Sequence, residues 1–139
     1  MFKVKIFSVG KSKEPWLKEA LTEYEKRLSR HIEIEWSFAK DDAELLEKAK
    51  QPLVVLDVPG EQVDSPALAK KLGHLFQANG SRLNFLIGGA EGIPKQVLEQ
   101  SVWVWSLSEL TFTHQMTRLI LLEQLYRATQ IEAGTSYHK

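Results

Sequence analysis

The sequence predicts an α/β fold, a mainly parallel sheet flanked by helices in one domain spanning residues 1–139. Three observations point there. Continuously apolar segments, typical of central parallel strands, alternate with amphipathic helical stretches. Turn residues separate these segments at short intervals, and no internal repeat, low-complexity run or linker interrupts the series. A length of 139 residues suits a single domain that buries its core without disulfides.

Phe2 to Val9 reads as the first strand, with Phe2, Val4 and Ile6 alternating against Lys3, Lys5 and Phe7 before Gly10 closes it. A helix is expected from Glu14 to about Arg30, because Leu17, Leu21, Tyr24 and Leu28 recur at helical spacing and Pro15 is tolerated in a first turn. Ile32, Ile34, Trp36 and Phe38 alternate with Glu33, Glu35 and Ser37, the pattern of a half-buried strand. Asp41 to Lys50 reads as a short charged helix, and Pro52 to Val58 as an apolar strand. Asp64-Ser65-Pro66 opens a helix that runs to about Ala78 and ends at Asn79-Gly80. Leu83 to Ile87 is another buried strand, Gly88 to Gly92 a loop, Pro94 the start of a short helix, and Val102 to Leu107 the last strand. Thr113 stands where it can cap a long helix to about Ile131. The apolar Met116, Leu119, Ile120, Leu121, Leu122, Leu125 and Tyr126 of that helix occupy more than one face, so one side is expected to meet another chain.

Composition narrows the function classes. Eighteen basic residues balance eighteen acidic ones, so the total field exerts no long-range pull on a phosphate backbone, and RNA would have to meet a local patch. The absence of cysteine removes disulfides, thiolate zinc clusters and a cysteine nucleophile, and fits a reducing compartment. The opening residues alternate charged with apolar side chains, unlike a secretory signal, and no stretch approaches the run of about 18 apolar residues that a membrane helix needs. A soluble, cytoplasmic protein with no membrane partner is the expectation.

Ligands of open α/β sheets bind just beyond the carboxyl ends of the strands, which singles out three loops. They are Leu56-Asp57-Val58-Pro59-Gly60, Gly88-Gly89-Ala90-Glu91-Gly92 and Leu107-Ser108-Glu109-Leu110-Thr111-Phe112. Glycine lets the backbone approach a flat heterocycle and read it with main-chain amides and carbonyls, which suits a nucleoside cofactor. A single Gly-Gly after a strand is more often a plain turn, and only the three loops together favour the binding reading. Two phosphate-binding patterns fail. Gly10-Lys11-Ser12 ends like a Walker loop, but Lys5 stands where its first glycine belongs, and the Rossmann turn needs three glycines where only Gly10 is present.

The histidines His31, His74, His114 and His138 show no ligand spacing, so no metal is expected. His74 reads as surface or packing and His31 as part of a turn. His114 and Arg118 lie four apart at the start of the last helix and so share a face beside the third loop. Taken alone, Arg118 is more simply a salt-bridge partner of a nearby carboxylate, His114 a helix-start residue, and Tyr137 and His138 a frayed end. Trp103-Val104-Trp105 is more simply core than a base-stacking platform.

One pattern runs through these pieces. Trp105 to Phe112, His114, Arg118, Glu123-Gln124-Leu125-Tyr126-Arg127-Ala128 and Tyr137-His138-Lys139 closely resemble the SPOUT-class ribosomal RNA large subunit methyltransferase H family. Val9-Gly10-Lys11, Pro15-Trp16, Leu56 to Gly60, Ser65-Pro66 and Leu86 to Gly92 extend the resemblance over essentially the whole chain. Many members carry proline where this chain has Thr113. The segment between Ala39 and Gln51 is short for the family and is expected to lie away from the cofactor loops.

The resemblance implies a trefoil knot near the C-terminus, a homodimer, and methylation of N3 of a pseudouridine in 23S ribosomal RNA on the assembled ribosome, with S-adenosyl-L-methionine as methyl donor and neither metal nor DNA involved. By position it assigns the cofactor pocket to Leu56, Gly88, Gly89, Leu107, Ser108, Glu109, Leu110, Thr111 and Phe112. For the chemistry, His138 or else His114 is expected to accept the N3 proton, and Arg118 to stabilise charge on a base oxygen or grip a phosphate. Tyr137, His138 and Arg118 are the expected substrate contacts, with the tail acting either within its own chain or across the dimer. The competing readings are a ribosome-binding factor that holds a nucleoside without chemistry, a small-molecule nucleotide-binding protein, and a tRNA methyltransferase of the same class.

Overall fold

The computed structural model describes residues 1–89 and 91–137. Strands β1 (Phe2–Val9), β2 (Ile32–Ala39), β3 (Leu53–Glu61), β4 (Arg82–Ile87) and β5 (Trp103–Trp105) alternate with helices α1 (Pro15–Leu28), α2 (Asp42–Lys48), α3 (Ser65–Ala78), α4 (Lys95–Gln100) and α5 (His114–Glu132). The five strands form one sheet in the order β2-β1-β4-β3-β5, and every pairing is parallel. All the carboxyl ends therefore lie along one edge, where loops can share a ligand.

Period-two alternation in the strands builds two cores. Val54, Leu56, Leu83 and Phe85 pack with Leu17, Leu21, Leu68, Leu72, Leu121 and Leu122 beneath α1, α3 and α5. Their neighbours Leu53, Val55 and Leu86 face the other way and meet Leu45, Val97 and Leu98 of α2 and α4. Fully buried leucines such as Leu121, Leu122 and Leu125 each contribute roughly 2 kcal/mol by leaving water. Helix α5 packs against both α1 and α3, which accounts for its having apolar residues on more than one face.

Three of the departures from the expected boundaries have a plain physical cause. Helix α2 begins at Asp42, because the Asp41 side chain caps it by accepting from Glu44 N at 2.9 Å. Strand β5 ends at Trp105, because the chain turns there and Ser106 Oγ donates to the Ser108 carbonyl at 3.0 Å. Strand β3 runs on to Glu61 through an irregularity in which both Leu56 and Glu61 pair with Trp105, so residues 57–60 bulge outward between them. Gly60 makes this possible, since a Cβ there would lie 2.8 Å from the Val104 carbonyl carbon and oxygen. Glu61 then fastens β5, accepting from Trp103 Nε1 at 2.8 Å through its carboxylate and from Ser106 N at 2.9 Å through its carbonyl. Trp103 and Trp105 are buried and stacked 5.3 Å apart, so they are core. Among the described residues no helix is long and apolar enough to cross a membrane.

Candidate functional site

The bulged part of β3 and the loops that follow β4 and β5 converge on one cavity of about 390 Å3, within the usual size range of small-molecule sites. The bulge of β3 contributes Leu56, Asp57 and Val58. The end of β4 contributes Ile87, Gly88 and Gly89, followed by Gly92 and Ile93. After β5, Leu107, Ser108, Leu110, Thr111, Phe112 and Thr113 complete the wall, and His114 and Thr117 reach in from α5.

Glu109 is exposed and outside this lining, although its neighbours on both sides are part of it. Ser108 Oγ accepts from Leu110 N at 3.0 Å, while the Ser108 carbonyl is held by Ser106, and the turn so stitched presents residue 109 to solvent. Thr113, where proline is common in the family resembled, caps α5 through Oγ1, which accepts from Met116 N at 3.2 Å.

The wall is chemically mixed. Leucine, isoleucine and phenylalanine side chains offer flat apolar surface, Ser108, Thr111, Thr113 and Thr117 bring hydroxyls, and Asp57 brings a carboxylate. A Cβ on Gly88 would meet the Ile93 side chain at 2.9 Å, so that part of the wall is bare backbone. Apolar faces beside open peptide groups suit a heterocyclic nucleoside with a charged tail.

His114 is partly buried in the wall, and its pKa is lowered from 6.5, first by burial and then by the charge of Arg118, with Asp42 opposing the shift. A neutral imidazole facing the cavity is able to accept a proton. Arg118 lies one turn further on and is 0 % exposed. Its five N–H groups are all engaged: Nε with Ser8 Oγ at 2.9 Å, Nη1 with Ser12 Oγ at 3.0 Å and Gln115 Oε1 at 3.3 Å, and Nη2 with the carbonyls of Val9 at 2.6 Å and Gly10 at 2.5 Å. The guanidinium also stands 5.1 Å from the Phe38 ring, and among the described residues no carboxylate forms a salt bridge with it. Burial pushes its pKa down to about 10, which leaves it cationic near neutral pH. Arg118 thus presents no spare donor to a base oxygen or phosphate here, in contrast to the sequence expectation. It ties the carboxyl end of β1 to α5.

Tyr137 lies elsewhere in the chain. Its ring meets Tyr126 edge-on at 4.8 Å with Arg127 over its face at 5.1 Å, more than three helical turns from His114 along α5. Burial, followed by hydrogen bonding to Tyr24, raises its phenol to about 12. His138 falls outside the described residues.

Sequence reasoning missed Asp42. It was expected in a segment remote from the cofactor loops, yet its carboxylate accepts from Glu91 N at 3.1 Å and stands directly behind Gly89. Only the strand order explains this. The crossover from β2 to β3 must span β1 and β4, and its first turn, at the start of α2, reaches the loop that follows β4. Among the described residues no group of three or more histidine, aspartate or glutamate side chains is arranged to hold a metal ion.

Comparison with known proteins adds the chemical context. Residues 2–138 match the family described as "Predicted SPOUT methyltransferase". A protein of Protochlamydia amoebophila named Ribosomal RNA large subunit methyltransferase H is 49% identical over 141 residues, covering 100% of both chains. Proteins of the same name from Acetivibrio thermocellus and Ruminiclostridium cellulolyticum are 42% and 38% identical, each covering 99% of both chains.

Proposed function

Because the chain belongs to the SPOUT methyltransferase family, we propose that it transfers a methyl group from S-adenosyl-L-methionine to N3 of a pseudouridine in the large-subunit ribosomal RNA of the assembled ribosome. The observation that carries this reading is the convergence of the β3 bulge and the loops after β4 and β5 on one cavity with apolar faces, exposed peptide groups and a histidine whose pKa is lowered. The relatives' shared name supports ribosomal RNA as the acceptor.

The donor, when bound, supplies an activated methyl group for direct displacement. Leu56, Ile87, Leu107 and Phe112 would sandwich its heterocycle, the backbone at Gly88 and Gly89 would approach its edge, and Asp57 would face its ammonium group. Catalysis then rests mainly on holding the acceptor nitrogen in line with the methyl carbon. His114, or His138 of a partner subunit's tail, accepts the N3 proton. Arg118 acts through the β1 end that it anchors. The knotted threading implied by the resemblance belongs to the same proposal, as it would hold loops this close in rigid register.

A homodimer and a cytoplasmic location are also part of the reading. Trp16, Val58, Leu110 and Met116 are exposed apolar residues in segments that follow strand carboxyl ends, Val58 and Leu110 lining the cavity, and Tyr137 of the same chain lies beyond the far end of α5. A second subunit would cover the first group and bring a tail to the site.

The test is single-turnover methylation of ribosomes purified from a strain lacking the protein, with the product nucleoside located by mass spectrometry. Transfer of labelled methyl to one pseudouridine of the large-subunit RNA is the expected result. Donor binding without transfer to ribosomes, or transfer to tRNA, would overturn it.

A further inference from the structure

We propose that Asp42 is a positioning residue for the donor site, latching the loop after β4 from behind. Asp42 lies in the first turn of α2 but is not needed to cap it, because Asp41 does so. Its carboxylate instead crosses to the loop and accepts from Glu91 N at 3.1 Å, over a separation of 49 residues. The three atoms nearest to a Cβ built on Gly89 all belong to that carboxylate, close enough to overlap it. Gly89 lines the cavity, and the Asp42 carboxylate packs directly against it.

Among the described residues the loop has few other bonds of its own. Its described internal bond is from Gly92 N to the Gly89 carbonyl, at 3.3 Å. A charge-assisted acceptor is stronger than such a neutral contact and fixes where the Gly88–Gly89 backbone stands. Gly89 is glycine here because a side chain would displace Asp42 from Glu91 N. The Asp42 carboxylate also acts on His114, against the opposing charge of Arg118, so the latch touches two components of the wall.

The latch is a property of the free protein, whereas its effect on donor binding rests on the function proposed above. Amide exchange in the unliganded full-length chain tests the first part. Asp42→Ala should speed exchange of the Glu91 amide about tenfold, the factor for one charge-assisted hydrogen bond, and Asp42→Asn, which keeps an acceptor oxygen, should recover part of the protection. Gly89→Ala should lower stability to urea in the wild-type background and far less in Asp42→Ala, where the obstructing atoms are gone. For the second part, Asp42→Ala should weaken calorimetric binding of S-adenosylhomocysteine about tenfold and raise KM for the donor while kcat changes little. Unchanged Glu91 exchange, or an equal Gly89→Ala effect in both backgrounds, overturns the latch. Normal ligand affinity in Asp42→Ala overturns its role at the site. A wild-type chain that binds no S-adenosylhomocysteine removes the donor reading, while the exchange and stability results still decide the latch.

Discussion

Ser8 and Arg118 are joined across 110 residues of chain by an Nε–H to Oγ hydrogen bond of 2.9 Å, and both side chains are wholly buried. The bond is one of a set that ends β1 on α5, so the first strand and the last helix are fixed to each other beside the cavity. Arg118→Met removes every donor in the set and leaves the Val9 and Gly10 carbonyls with orphaned lone pairs. A loss of about 3 kcal/mol is expected, read from urea unfolding, and Arg118→Lys should fall between, since an ammonium cannot reproduce the planar fork. An unchanged midpoint for Arg118→Met would contradict the anchoring role.

His114 should titrate below 6.5 in the folded protein. Asp42 raises its affinity for a proton, so Asp42→Asn should move the midpoint lower still, as followed by the imidazole resonances in NMR. The folded state binds this proton less readily than the unfolded chain. Its contribution to stability is therefore complete above 6.5 and is lost as pH falls from there through the lower folded value. His114→Gln should make urea stability less sensitive to pH across that window. A midpoint at or above 6.5 contradicts the account.

Gly60→Ala places a methyl group against the Val104 carbonyl and 3.0 Å from Ser106 N. Both are backbone atoms of the β5 segment and cannot swing aside. A cost of about 2 kcal/mol is expected, together with weaker nucleoside binding, because the Leu107–Phe112 loop begins where β5 is displaced. Wild-type stability and binding would show that the strands part more readily than the geometry indicates.

If a second subunit covers the carboxyl edge, Leu110→Glu should shift sedimentation toward the monomer, since Leu110 is 70 % exposed in the single chain and a charge there opposes burial. Fluorescence of Trp16, on the same edge and 51 % exposed, should shift to the red in parallel. A wild-type chain that sediments as a monomer at micromolar concentration excludes the dimer.

Much of this was legible from side-chain periodicity. The alternation in β1 and β2, the spacing of Leu17, Leu21 and Leu28, and the caps at Asp64 and Thr113 located the elements to within a few residues, because each signal is local. The gathering of loops at the carboxyl edge of the sheet was equally readable, since it follows from parallel pairing alone. What escaped depends on strand order. The extension of β3 to Glu61 needs β5 as its neighbour, the approach of Asp42 to Gly89 needs the start of α2 to stand beside the loop after β4, and the saturation of Arg118 needs β1 to end beside α5. Residues 8 and 118, or 42 and 91, carry no mark in sequence that they will meet.

The guanidinium of Arg118 is solvated by hydroxyl and carbonyl dipoles, with no carboxylate salt-bridged to it among the described residues. Dipoles stabilise a cation without cancelling its field, and the field already reaches His114 in the cavity wall. A chain with formal net charge of zero therefore keeps a permanent positive source inside the fold, next to the space that a polyanion would approach. Mobile ions cannot crowd around a buried charge as they do around surface lysines, so the part of this field that crosses the protein interior to the cavity wall is little weakened by added salt.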